Sequence, residues 1–366
     1  MHILSIYSRM AAFAAVLTVF SINCGYAQID SLYLLARVSG DTIADEFYNI
    51  ALGHGDVNGD GYEDVLIGAP EHHEGGGYAE LYFGGAEFDT IPDLIFRMEP
   101  SESFGASCAF IGDVNADGFD DIMIGDPHGT LLYFHEGLSY LYFGGANMDT
   151  IPDMRFKGEF WYHNLGYVSG AGDVNGDGYD DWLINAPFDD RVTLGRIYLY
   201  YGGENPDAIC DVYFQGRRED CLSFQNPELG DINGDGYDDL IFYRRTGNRV
   251  DIHFGSAAMD SVPDLYWQGH YSHSYYTEPI SGIGDINADG YNDWILQINR
   301  EHLIFFGSQN PDIEPDIILE PINPYTGLGS STMYADIDGD GYNNLVIGGS
   351  IDSESSCGHV FGYSGG

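Results

Sequence analysis

The sequence predicts an all-β protein, a six-bladed β-propeller with four-stranded blades. Three observations support this prediction. A nine-residue pattern occurs six times, with successive starts 57, 60, 58, 54 and 51 residues apart, and a fixed period of this size is typical of propellers and other repeat architectures. Short apolar runs separated by Gly, Asn, Asp and Pro fill each interval, as in chains of short strands. No segment has the helical periodicity of 3.6 residues.

Each of the first five repeats offers four short runs that favour β-strands, and the sixth offers the first three. The first precedes the nine-residue pattern, and the second is an apolar run directly after it, such as VLIG from Val65. The third ends in an aromatic-glycine sequence, such as YFGG from Tyr82, and the fourth follows a Pro-Asp dipeptide, as in IPDLIF from Ile91. Because the second run is continuously apolar, we expect both faces of that strand to be buried between packed sheets.

The two ends of the chain suggest how the ring closes. The sixth repeat reaches Gly366 after its third predicted strand. The segment DSLYLLARVSG from Asp30 aligns with DLIFRMEPS from Asp93, which contains a fourth strand. We therefore expect the N-terminal segment to complete the last blade and to close a single propeller over residues 28–366.

Residues 1–27 have the features of a signal peptide. His2 and Arg9 precede an apolar run over 10–20, and Gly25-Tyr26-Ala27 provides small residues for cleavage after Ala27. The apolar run is about half the length that crosses a bilayer. We therefore expect a secreted protein, located outside the cell, on its surface or in a periplasm. Acylation of Cys24, as in a lipoprotein, is the alternative.

Charge restricts the partners. The chain has 13 Lys and Arg against 58 Asp and Glu, for a formal net charge of −45. Nucleic acids and anionic membrane surfaces would repel such a protein, so neither is expected as a partner. No membrane span is predicted after the signal peptide. The cysteines that remain, at 108, 210, 221 and 357, match no C-x-x-C pattern, and we expect no structural disulfide.

The nine-residue pattern, D-x-N-x-D-G-x-x-D, has the donor chemistry of a calcium loop. Side chains at positions one, three, five and nine are hard oxygen donors, the carbonyl at position seven can join them, and the Gly at position six permits a sharp turn. Six Asx-rich turns without metal are the alternative, but six copies in register favour about six structural Ca²⁺ ions. The predicted ligands are Asp56, Asn58, Asp60, Tyr62 and Asp64; Asp113, Asn115, Asp117, Phe119 and Asp121; Asp173, Asn175, Asp177, Tyr179 and Asp181; Asp231, Asn233, Asp235, Tyr237 and Asp239; Asp285, Asn287, Asp289, Tyr291 and Asp293; and Asp336, Asp338, Asp340, Tyr342 and Asn344.

The sixth loop differs from the others. Asn344 replaces the acid at position nine, and Asp338 replaces the Asn at position three. The number of carboxylates stays at three, but the acid able to bind through both oxygens is lost. We expect this site to bind calcium most weakly.

The repeat resembles the FG-GAP repeat of integrin α-chain propellers and their bacterial relatives. The naming motifs are Phe104-Gly105 and Gly68-Ala69-Pro70, with weaker forms at Leu165-Gly166, Leu328-Gly329, Gly125-Asp126-Pro127 and Asn185-Ala186-Pro187. The resemblance implies an extracellular recognition or adhesion scaffold that calcium stabilises. Integrin propellers have seven blades and this chain shows six repeats, so integrin ligand geometry does not carry over.

A binding surface is predicted on the face opposite the calcium loops. Several basic residues and an aromatic segment fall in connections on that face: Arg217, Arg218, Arg244, Arg245, Arg249 and Trp161. Such a patch could receive a carboxylate, a sulfated glycan or a sugar ring, so the expected partner is an extracellular protein or a glycan. The alternative is that the arginines pair with the abundant acids and the aromatics pack between blades.

No catalytic motif is found. The sequence lacks H-E-x-x-H, G-x-S-x-G and a phosphate loop. The densest histidine cluster, His72-His73-Glu74, lies in a predicted loop between the second and third strands. We therefore expect a non-enzyme. A polysaccharide lyase or hydrolase on a propeller scaffold, and a purely structural cell-surface module, are the alternatives.

Overall fold

The computed structural model describes residues 49–50, 55–70, 76–86, 90–98, 101, 103–187, 195–216, 222–223, 227–244, 249–268, 280–298, 301–319, 326–335, 343–351 and 359–363. The predicted signal peptide, the predicted closing segment over 30–40 and the cluster at 72–74 lie outside these residues. Every regular element within them is a β-strand, which confirms the all-β class. No helix long and apolar enough to cross a membrane occurs in these ranges.

The strands form six antiparallel sheets, and each sheet corresponds to one repeat. The first contains β1 (Asn49–Ile50), β2 (Val65–Ala69), β3 (Tyr78–Tyr82) and β4 (Leu94–Arg97); the second β5 (Ser107–Gly112), β6 (Asp121–Asp126), β7 (Leu138–Tyr142) and β8 (Met154–Lys157); the third β9 (Tyr167–Gly172), β10 (Asp181–Ala186), β11 (Arg196–Tyr200) and β12 (Val212–Gln215); the fourth β13 (Leu222–Ser223), β14 (Glu228–Gly230), β15 (Asp239–Arg244), β16 (Arg249–His253) and β17 (Leu265–Gln268); the fifth β18 (Ile280–Gly284), β19 (Asp293–Ile298), β20 (Glu301–Phe305) and β21 (Ile317–Leu319); and the sixth β22 (Thr326–Ala335), β23 (Asn344–Ile351) and β24 (His359–Tyr363).

Within each sheet the strands pair in chain order. In the fourth sheet β13 and β14 both pair with β15, so together they occupy the place of a first strand. The sixth sheet has three strands among the described residues, and the segment predicted to add a fourth lies outside them. The predicted four-stranded repeat is therefore confirmed for the first five sheets.

Burial follows the predicted pattern across each sheet. All six residues of β6 and of β10 are buried, as expected for second strands with two covered faces. The fourth strands β4, β8 and β12 instead alternate, with one fully buried residue among exposed ones. An alternating strand is covered on one face only, so the fourth strand is the outer edge of its sheet.

Apolar clusters join successive sheets face to face. One cluster packs Leu66 and Phe96 of the first sheet against Ile122 and Tyr142 of the second. Four further clusters join the second sheet to the third, the third to the fourth, the fourth to the fifth and the fifth to the sixth. Each sheet thus buries its apolar residues mainly against its neighbours in the chain, as repeat architectures do.

One aromatic contact recurs at these interfaces. The first residue of the aromatic-glycine sequence, which is the last residue of the third strand, packs against the buried Phe on the fourth strand of the preceding sheet. Phe96 lies 4.7 Å from Tyr142, Phe156 lies 4.9 Å from Tyr200, and Phe214 lies 4.7 Å from His253, all between ring centroids. These near-perpendicular ring pairs add to the burial of apolar area, and they explain why the aromatic-glycine sequence keeps the phase of the repeat.

The Pro-Asp dipeptide before the fourth strand also has a structural explanation. The Asp153 carboxylate accepts a hydrogen bond from the Phe143 N–H at 2.8 Å, and the Asp153 N–H donates to the Leu141 carbonyl at 3.0 Å. The equivalent side-chain bond occurs in each of the other four-stranded repeats. This Asp therefore fixes the turn that starts the outer strand.

Two of the cysteines lie in the described residues, and both are free. Cys108 is buried, and burial raises the pKa of its thiol to about 12. Cys210 is half-buried, and desolvation raises its pKa to about 11. The expectation of no disulfide is met for this pair, while Cys221 and Cys357 lie outside the described residues.

Truncation of Phe214 tests the recurring aromatic contact. We expect Phe214→Ala to lower the free energy of unfolding by about 3–5 kcal/mol, because a buried ring is lost between two sheets. Tyr213→Ala is the matched control, since Tyr213 is the adjacent residue of β12 and is 56% exposed. Urea unfolding of both variants measures the difference. Equal losses would contradict the assigned interface.

Candidate metal-binding loops and the opposite face

Five of the six predicted loops lie in the described residues, starting at 56, 113, 173, 231 and 285. Each joins the first and second strands of its sheet, as the repeat predicted. Residues 336–342 of the sixth loop lie outside the described residues. The five loops can therefore be compared position by position.

The side chains at positions one, three and five fold back onto the loop's own backbone. In the third loop, Asp173 accepts N–H groups from Gly176 at 2.7 Å and from Gly178 at 2.8 Å, one at each carboxylate oxygen. Asn175 accepts the Asp177 N–H at 2.8 Å. The bonds from position six to position one and from position five to position three occur in all five loops. The loops thus hold their oxygen donors in one repeated arrangement.

The carboxylate at position nine joins two parts of the repeat. Asp181, the first residue of β10, is completely buried. One of its oxygens accepts the Val174 N–H at 3.1 Å, and the other accepts the Gly202 N–H at 2.8 Å. Gly202 belongs to the aromatic-glycine sequence after β11. Because all five loops make both bonds, this Asp physically connects the nine-residue pattern to the end of the third strand.

Burial makes the charge at position nine unfavourable. Desolvation raises the pKa of Asp121, Asp181 and Asp239 to about 8, and that of Asp64 and Asp293 to about 6. Repulsion from the acids at positions one and five raises these pKa values further, while the backbone hydrogen bonds lower them. None of the six loops contains Lys, Arg or His. Each of the five described loops therefore holds three carboxyl groups close together, at positions one, five and nine, and has no basic side chain to balance their charge.

This donor set fits a calcium ion chemically. Each loop brings carboxylate and amide oxygens together, and a carboxylate oxygen that accepts one N–H keeps a further lone pair for a cation. Within the described ranges, however, no three His, Cys, Asp or Glu side chains converge as a metal cluster. The side-chain oxygens at positions one and three accept backbone N–H groups instead. Calcium at these loops remains a prediction.

Position eight carries a contact that the sequence analysis did not assign. The Asp120 carboxylate of the second loop accepts the Asp56 N–H of the first at 2.8 Å. Asp180 and Asp238 make the equivalent bonds to Asp113 and Asp173, both at 2.9 Å. The backbones of the same loops are also bonded, because the N–H group of each position-eight residue donates to the carbonyl of position one in the preceding loop. Neighbouring loops are therefore linked in series.

The signal for this link was present in the sequence. Position eight is Glu, Asp or Asn in every repeat, at residues 63, 120, 180, 238, 292 and 343. The side chain points to the preceding loop, and space for it is limited. A Cβ at Gly112 would lie 2.1 Å from the Asp180 carboxylate, and at Gly172 it would lie 2.2 Å from that of Asp238. The Gly before each of these loops thus permits the close approach.

On the opposite face, two of the predicted ligand-binding arginines are engaged within the fold. Arg244 and Arg249 both form ion pairs with the fully buried Asp251. The Arg249 guanidinium also lies 4.1 Å from the centroid of the Tyr266 ring. These contacts match the alternative of arginines paired with acids. Trp161 is 56% exposed, and Arg217, Arg218 and Arg245 lie outside the described residues.

The sheets and loops define a class of protein, a β-repeat protein in which acidic loops join the first two strands of stacked four-stranded sheets. The family model for the FG-GAP repeat matches residues 48–80 and 165–200. The chain therefore contains FG-GAP repeats, and the resemblance inferred from the motifs is confirmed.

Curated relatives agree with this family. Integrin alpha-5 of Xenopus laevis is 26% identical over 223 residues, which cover 56% of this chain and 20% of that protein. Integrin alpha-7 of Rattus norvegicus is 33% identical over 185 residues, covering 47% and 16%. Phosphatidylinositol-glycan-specific phospholipase D of Bos taurus is 31% identical over 173 residues, covering 42% and 20%. The chain thus spans a fifth or less of these relatives.

Two solved structures are similar at a lower level. A protein from Lactobacillus plantarum has a TM-score of 0.48 at 7% identity, covering 88% of this chain and 86% of that one. The Dos1 propeller has a TM-score of 0.46 at 11% identity, covering 83% and 64%. Both scores are below 0.5, so the fold assignment rests on the sheets and the family match.

The link at position eight can be tested with two substitutions at one residue. We expect Asp180→Ala to lower the free energy of unfolding by about 1.5–3 kcal/mol, because the Asp113 N–H loses a charged acceptor. Asp180→Asn is the matched control and should lose less, since Asn stands at this position in the fifth and sixth loops. Thermal unfolding measures both. An Asp180→Ala variant as stable as the wild type would contradict the link.

Proposed function

We propose that residues 28–366 form a secreted, calcium-stabilised, six-bladed propeller that acts as an extracellular recognition or adhesion scaffold. The observation that carries the proposal is the repeated acidic loop, with a buried carboxylate at position nine and no basic residue to balance it. The match to FG-GAP repeats and to integrin α-chains supports the extracellular recognition role. The partner would be an extracellular protein or glycan.

The arrangement of sheets supports the proposed ring. Five interfaces connect six sheets in series, and each sheet is covered by its chain neighbours. A ring leaves neither the first nor the sixth sheet with an uncovered apolar face. In this proposal, residues 30–40 supply the outer strand that the sixth sheet needs.

Calcium would act as a structural ion. The ligands would be the oxygens at positions one, three, five, seven and nine of each loop, and the ion would supply the positive charge that the loops lack. Extracellular calcium modules bind with dissociation constants of about 10⁻⁴–10⁻³ M. At about tenfold excess over this constant, each site would add about 1.4 kcal/mol of stability. Six sites would add about 8 kcal/mol, which is comparable with the net stability of a domain.

The phospholipase relative raises the question of catalysis. It is 31% identical over 173 residues, which cover 42% of this chain and a fifth of its own length. Because integrin α-chains and a phospholipase are both similar to this chain, the similarity supports a shared scaffold and does not assign a chemistry. We therefore propose that this chain is not an enzyme.

Deletion of residues 28–40 tests the ring. We expect a lower melting temperature, because the sixth sheet loses its outer strand and the ring opens. A synthetic peptide of residues 30–40, added to the truncated protein, should restore part of the loss, whereas a peptide of scrambled order should not. An undiminished melting temperature after deletion would refute closure by this segment.

A substitution in the sixth loop tests the proposed calcium binding. We expect Asn344→Asp to strengthen the weakest calcium site, because it restores an acid that can bind through both oxygens. Isothermal titration with calcium measures the change, and titration with magnesium is the control, since Mg²⁺ requires stricter geometry. Unchanged affinity at every site would count against calcium at this loop.

A further inference from the structure

Two connections of the second sheet meet at the end opposite the acidic loops. Residues 127–137 join β6 to β7, and residues 158–166 join β8 to β9. Seven large side chains of these connections are between 37% and 64% exposed, and together we call them the aromatic platform: Leu131, Leu132, Tyr133, Phe134, Phe160, Trp161 and Tyr162. Exposed apolar side chains grouped in this way are typical of binding sites in soluble proteins.

The two connections form one backbone unit. The Tyr162 N–H donates to the Phe134 carbonyl at 3.0 Å, and the Asn164 N–H donates to the His135 carbonyl at 3.2 Å. The approach is so close that a Cβ on Gly158 would lie 1.9 Å from the carbonyl oxygen of Glu136. The platform therefore does not consist of two independent loops.

Buried polar groups hold the platform from beneath. Glu136 is completely buried, and one carboxylate oxygen accepts the N–H groups of Leu131 at 2.6 Å and Leu132 at 2.5 Å. His163 is also completely buried, and its Nδ1 accepts the Glu159 N–H at 3.1 Å. These bonds fix the connections before any ligand binds, so little conformational entropy remains to be lost on binding.

Backbone strain accompanies this rigidity. His135, Tyr162 and Asn164 have φ values of 51°, 56° and 53°. The left-handed region costs a non-glycine residue about 1–2 kcal/mol, and strained conformations cluster at functional sites. The bonds between the two connections hold these residues in place, and the resulting shape presents aromatic rings to solvent.

Three of the aromatic rings contact one another, and two do not. Phe134 stacks on His135 with 3.9 Å between centroids, and Tyr162 meets the edge of Phe134 at 5.3 Å. Trp161 and Tyr133 have no ring contact among the described residues. Their faces are apolar, while the indole N–H and the phenol hydroxyl at their edges can form hydrogen bonds.

The platform carries little charge. The carboxylates of the two connections are Glu136, which is buried, and Glu159, which pairs with Arg196 at 3.1 Å. Lys157 lies at the margin, as the last residue of β8. On a chain of net charge −45, an anionic polymer would be repelled by the remainder of the protein. The two connections themselves present no exposed, unpaired carboxylate to a cationic ligand.

We propose that the aromatic platform binds an uncharged carbohydrate. A sugar ring has an apolar face of C–H groups, which carry partial positive charge and match the negative face of an aromatic ring. Its hydroxyl groups match the polar edges of Trp161 and Tyr133. This inference rests on the proposed recognition function, for which it names the ligand class and the site.

Titration with neutral oligosaccharides tests the proposal. The probes are cellohexaose, laminarihexaose, mannohexaose and chitohexaose, with polygalacturonate as the anionic control, all in calcium buffer. Tryptophan fluorescence can report binding at Trp161, because Trp182 and Trp294 are buried and the partly buried Trp267 lies on the outer strand of the fourth sheet. We expect at least one neutral probe to bind, and Trp161→Ala to weaken that binding by about tenfold or more, as hot-spot aromatics do. Tyr213→Ala is the matched control, since Tyr213 is also 56% exposed but lies on β12.

Three outcomes would overturn the proposal. They are the absence of binding by every neutral probe, equal affinity of the Trp161→Ala variant, and preferential binding of polygalacturonate. If the amphiphilic dye bis-ANS binds at Trp161 while no sugar does, the platform is an exposed apolar surface that does not recognise carbohydrate. The melting temperature of the same samples, measured with and without calcium, distinguishes failure of the proposed scaffold from failure of the proposed ligand. A melting temperature that does not depend on calcium would overturn the calcium-stabilised scaffold. A calcium-dependent melting temperature without sugar binding would overturn only the carbohydrate ligand of the platform.

Discussion

The fold depends on a buried carboxylate at the end of each acidic loop. In the described repeats, this Asp accepts an N–H from its own loop and another from the glycines after the third strand. It thereby joins the loop, the start of the second strand and the end of the third strand at one point. Its burial raises its pKa, and two further acids of the same loop repel it. A bound cation at each loop would convert this electrostatic cost into a stabilising contact, so the proposed metal and the fold are coupled.

The same loops connect the repeats to one another. Position eight bonds to the preceding loop on one face of the molecule, while aromatic pairs such as Phe156 and Tyr200 pack between the sheets. Both kinds of contact link neighbours in the chain. Stability in such an array is approximately a sum of repeat and interface contributions. Charge balance in one loop should therefore influence its neighbours through the shared hydrogen bonds.

Much of the fold could be predicted because its signals are local. An apolar run of four residues identified β6 and β10, and the Asp-Asn-Gly spacing placed the loops between the first and second strands. The position-eight bond was missed because it joins residues more than 60 positions apart, such as Asp56 and Asp120. Its polar residue in every repeat was the available signal.

The face opposite the acidic loops was predicted less well, because its contacts also depend on the folded arrangement and not on a local sequence pattern. Arg244 and Arg249 appeared as open cations in the sequence, but sheet pairing places both beside Asp251. Half of the aromatic platform, residues 127–137, has no repeat pattern, so its meeting with Trp161 depends on the folded backbone. By contrast, the exposure of Trp161 on this face agrees with the predicted segment.

The central claim is that calcium balances the acidic loops and thereby stabilises the stacked sheets. The most direct test is a calcium titration of the metal-stripped mature protein, with thermal unfolding measured at each calcium concentration. We expect five or six binding sites and a large rise in melting temperature as they fill. Absence of binding together with an unchanged melting temperature would contradict it, and the loops would then be Asx-rich turns that fold without metal.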